Sequence, residues 1–390
     1  MIRFISMIKK ISNKNTKVLL LTVLIAFLLF FFIPKKFLPS ISQKSSSDKS
    51  LVLLKVVADL IKDYYVEEPN ALKTMKGAIR GLIGPLDPLS SYLDVPTVKK
   101  HKNPGSAELK ETGIIVYKKF GTYPIVIGVK ENSPAEDAGI KVGDTLSEMD
   151  SQPLLELSMQ EANLYLKNTE EKPVNLKILR PEDSEEMSLQ RKSLYDSPFT
   201  YIPQKNTSGI LKIHSLYPPF NTQFKETLLP SLKTKKETLI IDLRNCYEGE
   251  IGESLKFINH FLRSDKVGYF QDKNGEKEYL ACPKTPELER LPLIIWTNNA
   301  TIGPAEAVAG ILMDFQRTKI IGLKTPGLLV KQDFYPLEDG SALLLTSQIF
   351  YFRDGKEMWL KGITPDSEIK EKNPNFDLYL KKTHEILPKI

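Results

Sequence analysis

Hydrophobic positions along the chain fall into stretches with helical spacing and stretches that are continuously apolar. Apolar residues recur at helical spacing from Leu53 to Ile61 and again from Leu72 to Leu82. This spacing predicts two amphipathic helices between Leu51 and Leu93. The run from Thr238 to Arg244 is apolar until it ends in polar residues, which predicts a buried strand whose end faces a site.

The longest apolar run lies near the N-terminus. From Val18 to Ile33 it is interrupted only by Thr22, and as a helix it measures about 24 Å. Basic residues are more numerous before the run than directly after it, which predicts a cytoplasmic N-terminus. We expect a cytoplasmic basic segment at 1–17, a transmembrane or signal-anchor helix at 18–34 and a linker at 35–50.

A cleaved signal peptide is the alternative for this run, because Ser40-Ile41-Ser42 is an acceptable cleavage site. The anchor is favoured, since the run is longer than the usual signal-peptide core of about 7 to 15 residues. Both interpretations export residues 43–390. We therefore expect a single-pass protein of the inner (cytoplasmic) membrane, with most of the chain facing the periplasm or the outside.

Composition excludes several classes of protein. Of 390 residues, 41% are hydrophobic and 26% charged, which is typical of a folded chain. The net charge of +6 comes from basic residues in the first 36 positions, so we expect no nucleic-acid partner. Cys246 and Cys282 are the two cysteines, and the four histidines are scattered; no metal site and no cofactor are expected. Whether the two cysteines pair is left open.

A twelve-residue motif carries the first resemblance to a known domain. Ser133 to Asp144 reads Ser-Pro-Ala-Glu-Asp-Ala-Gly-Ile-Lys-Val-Gly-Asp, which resembles the PDZ pattern Ser-Pro-Ala-x-x-Ala-Gly-Ile-x-x-Gly-Asp. The resemblance implies a PDZ domain at 108–192. Such domains bind an extended C-terminal peptide by strand addition, with loop amides holding its carboxylate.

The PDZ resemblance implies a peptide groove between a strand and a helix. The helix is expected at Ser158–Lys167, where Ala162 is interpreted as core. Glu111 is unfavourable beside a bound carboxylate, because like charges repel. The expected groove residues are Glu111, Thr112, Gly113, Ile114, Ile115, Val116, Met159, Asn163 and Leu166.

A second resemblance lies in the stretch from Asn298 to Asp314. It is similar to the strand-to-helix turn of the carboxyl-terminal processing peptidases, or tail-specific proteases. That family writes the turn as Ser-Ala-Ser-Ala-Ser-Glu, with the middle Ser as nucleophile and a Lys base 25 residues on, inside Gly-Lys-Gly. Counted from Glu306, the nucleophile position is Gly303 and the base position is Leu328. Neither side chain can perform its role.

Other motifs extend this resemblance from Leu51 to the C-terminus. Leu86 to Leu93 resembles the family's Leu-Asp-Pro-His-Ser-x-Tyr-Leu, with Leu89 in place of His, and two late motifs occur at 339–343 and 362–366. The resemblance implies an α/β (α+β) fold. We expect a helical segment at 51–107, a protease core of mixed sheet with packed helices at 195–372, and a C-terminal extension at 373–390.

Within the expected core, strands are predicted at 292–296 and 319–322 and a helix at 305–315. In the family, Asp-Leu-Arg is followed by x-Asn-Pro-Gly-Gly, whose glycine amide contributes to the oxyanion hole. Here the sequence after Arg244 is Asn-Cys-Tyr-Glu-Gly, ending in Glu248 and Gly249. A carboxylate at Glu248 would oppose a developing oxyanion. Asp314 and Gln332 match supporting positions of the family. We interpret both as structural, with Asp314 bonding to nearby backbone and Gln332 pairing across its sheet.

Three sets of residues offer an alternative catalytic group. Thr301 carries a hydroxyl near the turn. Lys331 and Lys324 lie near Leu328, the first expected on the opposite strand face and the second too distant. Cys246 with His260 would be a thiol–imidazole pair, although a lone cysteine after a buried strand is more often inert.

Three functional classes follow. The favoured one is a membrane-anchored pseudoprotease that binds protein C-terminal tails or unfolded peptide through its PDZ domain, and that can associate with an active paralogue or with itself. The second is an active serine-type endopeptidase with an atypical nucleophile. The third is a structural envelope protein whose groove is blocked.

Overall fold

The computed structural model describes residues 46–102, 110–169, 172–180 and 184–387. The predicted basic segment 1–17, the membrane helix 18–34 and most of the linker 35–50 lie outside the described residues. Within those residues, none of the helices has both the length and the apolar character that crossing a membrane requires. The chain divides into two compact units, with the boundary between Ala71 and Leu72.

Both helices predicted from apolar spacing are present. Helix α1 spans Ser46–Tyr64 in the first unit, and helix α2 spans Ala71–Ile83. In the second unit, α2 is followed by strand β1, Ser91–Leu93, and helix α3, Val95–His101. The Asp87 carboxylate, just before β1, accepts hydrogen bonds from the backbone N–H groups of residues 89 and 90 at 2.7 Å.

The predicted PDZ region is an antiparallel sheet with two short helices. In chain order its elements are β2 Lys110–Glu111, β3 Ile114–Tyr117, β4 Ile125–Val129, α4 Pro134–Asp137, β5 Thr145–Met149, β6 Gln152–Pro153, α5 Met159–Tyr165, β7 Lys167–Asn168, β8 Val174–Leu179 and β9 Ser184–Leu189. The strands lie side by side in the order β3, β4, β5, β8 and β9, with β6 beside β5, while β2 pairs with β7. Strand β3 is therefore at one edge of the sheet.

The twelve-residue motif starts with a helix cap. Ser133 is the N-cap of α4 and accepts a hydrogen bond from the backbone N–H of Glu136 at 3.2 Å, and Pro134 occupies the first helical turn. Serine is favoured as a cap and proline at the first helical position, which explains both residues. Residues of four strands, Val116, Val126, Leu146 and Ile178, form the fully buried centre of this region.

The rest of the second unit contains two more sheets. In chain order its elements are β10 Phe199–Ile202, β11 Ile210–Ile213, α6 Phe220–Gln223, a π-helical turn Phe224–Leu228, α7 Leu229–Leu232, β12 Leu239–Asp242, α8 Ile251–Ile258, β13 Ser264–Asp272, β14 Lys277–Cys282, β15 Leu293–Thr297, α9 Pro304–Asp314, β16 Thr318–Gly322, β17 Val330–Pro336, β18 Ala342–Phe352, β19 Ser367–Glu368 and α10 Phe376–Ile386. The predicted strands and helix of this region agree with β12, β15, β16 and α9 to within a few residues.

The central sheet runs in the order β10, β11, β12, β15, β16 and β19. All its pairs are parallel except β10 with β11. Side chains alternate between two buried faces: Ile295 packs with α9, whereas Trp296 packs with Tyr379 of α10. Burial on both faces explains why these strands are continuously apolar.

The other sheet is antiparallel and has the order β1, β18, β13 and β14, with β17 also on β18. Strand β1 pairs with the start of β18, so that Ser91 lies opposite Leu344. This pairing connects the beginning of the second unit to its far end. It also brings Leu89, just before β1, towards the turn that follows β15.

Candidate active site and peptide groove

The turn between β15 and α9 contains Gly303, the position where the resemblance places a nucleophile. Gly303 has φ 58° and ψ −115°, a conformation that favours glycine. In strand-to-helix turns of this kind, a catalytic serine is held in a strained conformation. A Cβ atom at residue 303 would lie 3.8 Å from the Leu328 carbonyl oxygen, so a side chain would fit. The hydroxyl is missing, although there is room for it.

The expected base position is part of an apolar cluster. Leu328 is 3% exposed and packs with Leu89, Met159 and Ile302. Met159 belongs to helix α5 of the PDZ region, so the cluster joins that region to the turn. A strand does not extend through Leu328, since β17 begins at Val330. The place of a catalytic amine is therefore filled by hydrocarbon.

A buried carboxylate holds the turn and the loop of Leu328 together. Glu306 is fully buried and accepts hydrogen bonds from the backbone N–H groups of Gly303 at 3.0 Å, Gly327 at 2.6 Å and Leu328 at 2.7 Å. Burial raises the pKa of the Glu306 carboxyl, and the hydrogen bonds oppose this effect. Glu306 therefore holds the turn and the loop of Leu328 together without the help of a catalytic side chain.

The residue after Gly303 is Pro304, which lacks the backbone N–H that an oxyanion hole would use at this position. In nucleophile turns, the backbone N–H of the residue after the nucleophile is a donor of the oxyanion hole. Proline has no N–H. The N–H of Gly303 itself is bonded to Glu306. The turn therefore offers no free donor at either residue for a negatively charged oxygen.

The loop after β12 is engaged by two lysines of the PDZ region. The Glu248 carboxylate pairs with Lys167 and lies 3.6 Å from the Lys130 ammonium group, which also pairs with Glu111 at 2.7 Å. Burial raises the pKa of the Glu248 carboxyl, but the two ammonium groups outweigh it and hold that pKa below its ordinary value. We call these four residues the charge cluster.

The two neighbours of Glu248 in this loop are also fixed. Tyr247 lies between the ammonium groups of the charge cluster, which are 5.1 and 5.2 Å from the centre of its ring. A Cβ atom at Gly249 would come within 2.5 Å of Leu216, which explains the glycine by close packing. The loop is thus part of the contact between the core and the PDZ region.

The expected groove residues are mostly buried. Thr112, Gly113, Ile114, Ile115 and Val116 lie in or next to β3, and all five are buried. Glu111 differs from its prediction, since it pairs with Lys130 instead of facing a bound carboxylate. The Lys130 ammonium group therefore compensates the negative charge of Glu111, which was expected to weaken peptide binding.

The helix side of the groove also differs from expectation. Met159 packs in the cluster of Leu328, and Leu166 lies in the PDZ region's own core with Ala162. The helical stripe therefore reflects packing at both positions. Asn163 faces β3, where its carboxamide bonds to the N–H and the C=O of Val116, each at 3.2 Å.

Comparisons with known proteins agree with this architecture. The model of peptidase family S41 matches residues 207–369, and a PDZ-domain model matches residues 125–180. The chain is thus similar to peptidase family S41 over residues 207–369 and to PDZ domains over residues 125–180. Both matches lie inside the ranges predicted for the protease core and the PDZ domain.

The chain is also similar to proteins described as probable CtpA-like serine proteases. The protein from Staphylococcus aureus (strain COL) is 25% identical over 355 residues, which cover 90% of this chain and 70% of the relative. The protein from Staphylococcus haemolyticus (strain JCSC1435) is 26% identical over 313 residues, covering 80% and 62%. The structure of the photosystem II D1 C-terminal processing protease superposes with a TM-score of 0.67 at 18% identity, covering 86% of this chain and 90% of that one, which shows a shared fold.

Thr301 and Cys246, the two alternative nucleophiles considered from the sequence, are both buried. Thr301 is fully buried; its hydroxyl donates to the Leu243 carbonyl at 2.9 Å and accepts from the Asn298 N–H at 3.0 Å. Cys246 is fully buried, and burial raises the pKa of its thiol to about 12. His260 lies beside Glu287, with 3.7 Å between its ring nitrogen and the carboxylate. Both cysteines are free thiols.

The two neighbouring lysines do not provide a base beside the turn: one is paired and the other faces solvent. Lys331 forms an ion pair with Glu278 at 2.5 Å, and Lys324 is exposed to solvent. Asp314 pairs with Arg353 at 2.9 Å instead of with nearby backbone. Gln332 donates to the Leu89 carbonyl at 3.0 Å, so it supports the apolar cluster instead of pairing across its own sheet.

Sequence reasoning missed four features of the turn and the groove. The missing donor at Pro304 is visible in the sequence, because it follows directly from the residue after Gly303. The acceptor role of Glu306 could have been inferred from its place in the family turn. The charge cluster and the bond between Asn163 and Val116 have no local signal, since they join segments far apart in the chain.

Proposed function

We propose that the protein is a catalytically inactive member of its family, a pseudoprotease that acts by binding. The observation that carries the proposal is the pair Gly303 and Leu328, which puts hydrogen and an isobutyl group where a nucleophile and a base would stand. Serine peptidase chemistry needs a nucleophile, a base and donors for the oxyanion. Pro304, which has no backbone N–H, extends the loss to the third requirement.

The energetic argument supports inactivity. Removing the nucleophile or the base alone costs about a million-fold in kcat in a subtilisin-type site. Substitutes would have to lie within a few tenths of an ångström of a productive geometry. The hydroxyl of Thr301 and the thiol of Cys246 are both buried, and the Lys331 amine pairs with Glu278.

Binding of protein segments is the function that remains. The matched PDZ domain supports recognition of C-terminal tails or unfolded peptide, by addition of a strand to β3. The expected membrane helix at 18–34 would hold the chain at the cytoplasmic membrane with residues 43–390 exported. An active paralogue or a second copy of this chain would be a further partner.

One observation favours a second candidate, a structural envelope protein that binds no peptide. Asn163 already forms hydrogen bonds with the N–H and the C=O of Val116 on the unpaired edge of β3. The groove is closed in this structure by a neutral amide. The two candidates differ in whether an added peptide can open it.

The test uses the purified full chain. We would incubate it with denatured casein and with a labelled peptide that ends in an apolar residue, following cleavage by mass spectrometry and binding by fluorescence anisotropy. We expect no cleavage and measurable binding, weaker for the same peptide with an amidated C-terminus. Cleavage that disappears in Thr301→Ala or Lys331→Ala would overturn inactivity. Absence of binding would favour the structural candidate.

A further inference from the structure

At the unpaired edge of β3, backbone polar groups form hydrogen bonds with side chains of the same domain. Strand β3 pairs with β4 on one side and is the last strand of its sheet. On the other side, the N–H and C=O of Val116 bond to the Asn163 carboxamide, each at 3.2 Å. The N–H of Ile114 lies 3.4 Å from the Thr112 hydroxyl. The donors and acceptor that an added strand would use are therefore engaged.

The chemistry of the Asn163 contact matches that of a bound peptide. A primary carboxamide has one acceptor oxygen and an NH₂ donor, like the C=O and N–H of a peptide group. A residue of an incoming antiparallel strand would exchange the same two hydrogen bonds with Val116. Asn163 thus occupies the place of one residue of the strand that the PDZ domain would bind.

Helix α5 is also held in place from its other faces. Glu161 forms a buried ion pair with Arg80 of α2 at 2.6 Å. Met159 packs against Leu328 and Ile302 at the former catalytic turn. Neighbouring strands lie about 4.8 Å apart, so a peptide between β3 and α5 requires the helix to move outward. Such movement would loosen the contact of Met159 with the emptied site.

We propose that the Asn163 carboxamide is a displaceable plug of the peptide groove, which an extended peptide with an apolar C-terminal residue must replace at Val116. This inference rests on the proposed peptide-binding function and adds its regulation. A closed groove lowers the apparent affinity by the fraction of molecules that are open. Removal of the plug should therefore tighten peptide binding without adding any contact to the peptide.

The test compares Asn163→Ala with Gln160→Ala, which shortens an amide on the same helix that makes neither hydrogen bond to Val116. For each protein we would measure hydrogen exchange at the Val116 amide and the affinity for the labelled apolar-tailed peptide. In Asn163→Ala we expect faster exchange at Val116 and about tenfold tighter binding. Gln160→Ala should match the wild type in both.

A second variant covers the case that Asn163→Ala folds poorly. Asn163→Asp keeps an acceptor for the Val116 N–H but places a carboxylate oxygen against its carbonyl oxygen, so it should also open the groove. Faster exchange with unchanged affinity would overturn the plug and leave the peptide-binding function standing. Faster exchange with no binding by any variant would overturn both, because an uncovered groove would then accept no peptide.

Discussion

The catalytic turn and the peptide groove both differ from a working site, but in different ways. At the turn, the atoms themselves are missing: Gly303, Pro304 and Leu328 provide no hydroxyl, no N–H and no amine. At the groove, the N–H and C=O of Val116 are present and are covered by Asn163. A conformational change can uncover a group, but it cannot supply one.

The groups absent from the turn cannot be recovered without a change of sequence, whereas the groups covered in the groove can be uncovered by a movement. The frame around the turn is fixed by the buried carboxylate of Glu306, so its shape survives without its chemistry. The groove is closed by two neutral hydrogen bonds, each worth only about 1 kcal/mol net. Uncovering the groove therefore needs only a modest rearrangement, whereas no rearrangement of the turn supplies a hydroxyl at residue 303 or an amine at residue 328.

The largest expected effect concerns the charge cluster that joins the two regions. Glu248→Ala leaves Lys167 without its carboxylate, and breaking a buried pair in this way costs about 3–5 kcal/mol. Urea unfolding of the variant measures the loss. The control is Glu250→Ala in the same loop, where the side chain is exposed. Adding Lys167→Met to Glu248→Ala should recover part of the loss; equal effects of the two alanine variants would contradict the account.

The next effect tests whether the turn lacks more than its two reactive side chains. Gly303→Ser with Leu328→Lys restores nucleophile and base but not the oxyanion donor. Adding Pro304→Ala supplies a backbone N–H, and one such donor is worth about 10²–10³ in kcat. Casein turnover should therefore be faster in the triple variant by that factor. Equal rates in the double and triple variants would show that residue 304 is not a donor position.

Met159 contacts both regions, so its removal should lower stability and also change peptide binding. Met159→Ala leaves a cavity between α5 and Leu328, and such truncations cost about 2 kcal/mol or more. The midpoint of urea unfolding should fall, and the labelled peptide should bind more tightly because α5 is less firmly held. Met75→Ala, at a 58% exposed position, is the control. Equal losses in the free energy of unfolding for the two variants would contradict the packing of Met159 against Leu328.

The smallest expected effect is a dependence of stability on pH that comes from the buried His214 ring in the core. Burial lowers the pKa of His214 from 6.5 to about 3, so the folded protein keeps this ring neutral while the unfolded chain takes up a proton. Stability is then fully present above about pH 6.5 and falls as the pH drops towards 3. From pH 6 to 5 the wild type should lose about 1 kcal/mol more than His214→Phe. Parallel curves for the two proteins would contradict a neutral buried ring.

Much of the fold could be predicted from the sequence, because its signals are local. Continuous apolar runs gave β12, β15 and β16 within a few residues, and the Ser133–Asp144 motif located the PDZ domain. The substituted positions Gly303 and Leu328 followed from counting along the chain. These inferences need only a spacing or a pattern within one segment.

Contacts between the domains could not be predicted. A stripe at helical spacing does not show whether it faces a groove or a neighbour, and Met159 and Leu166 proved to be packed. Glu111 was judged without its partner Lys130, which follows strand β4. Such pairs depend on how segments far apart in the chain pack together, which no periodicity encodes.

The central claim is that no group in the cleft can attack a carbonyl. The most direct measurement is treatment of the native protein with a fluorophosphonate that labels activated serine and threonine hydroxyls, followed by intact-mass and peptide mass spectrometry. The account predicts no adduct on the wild type and an adduct at residue 303 of the Gly303→Ser, Pro304→Ala, Leu328→Lys variant. An adduct on the native wild type at Thr301, or at any other hydroxyl of the cleft, would contradict it.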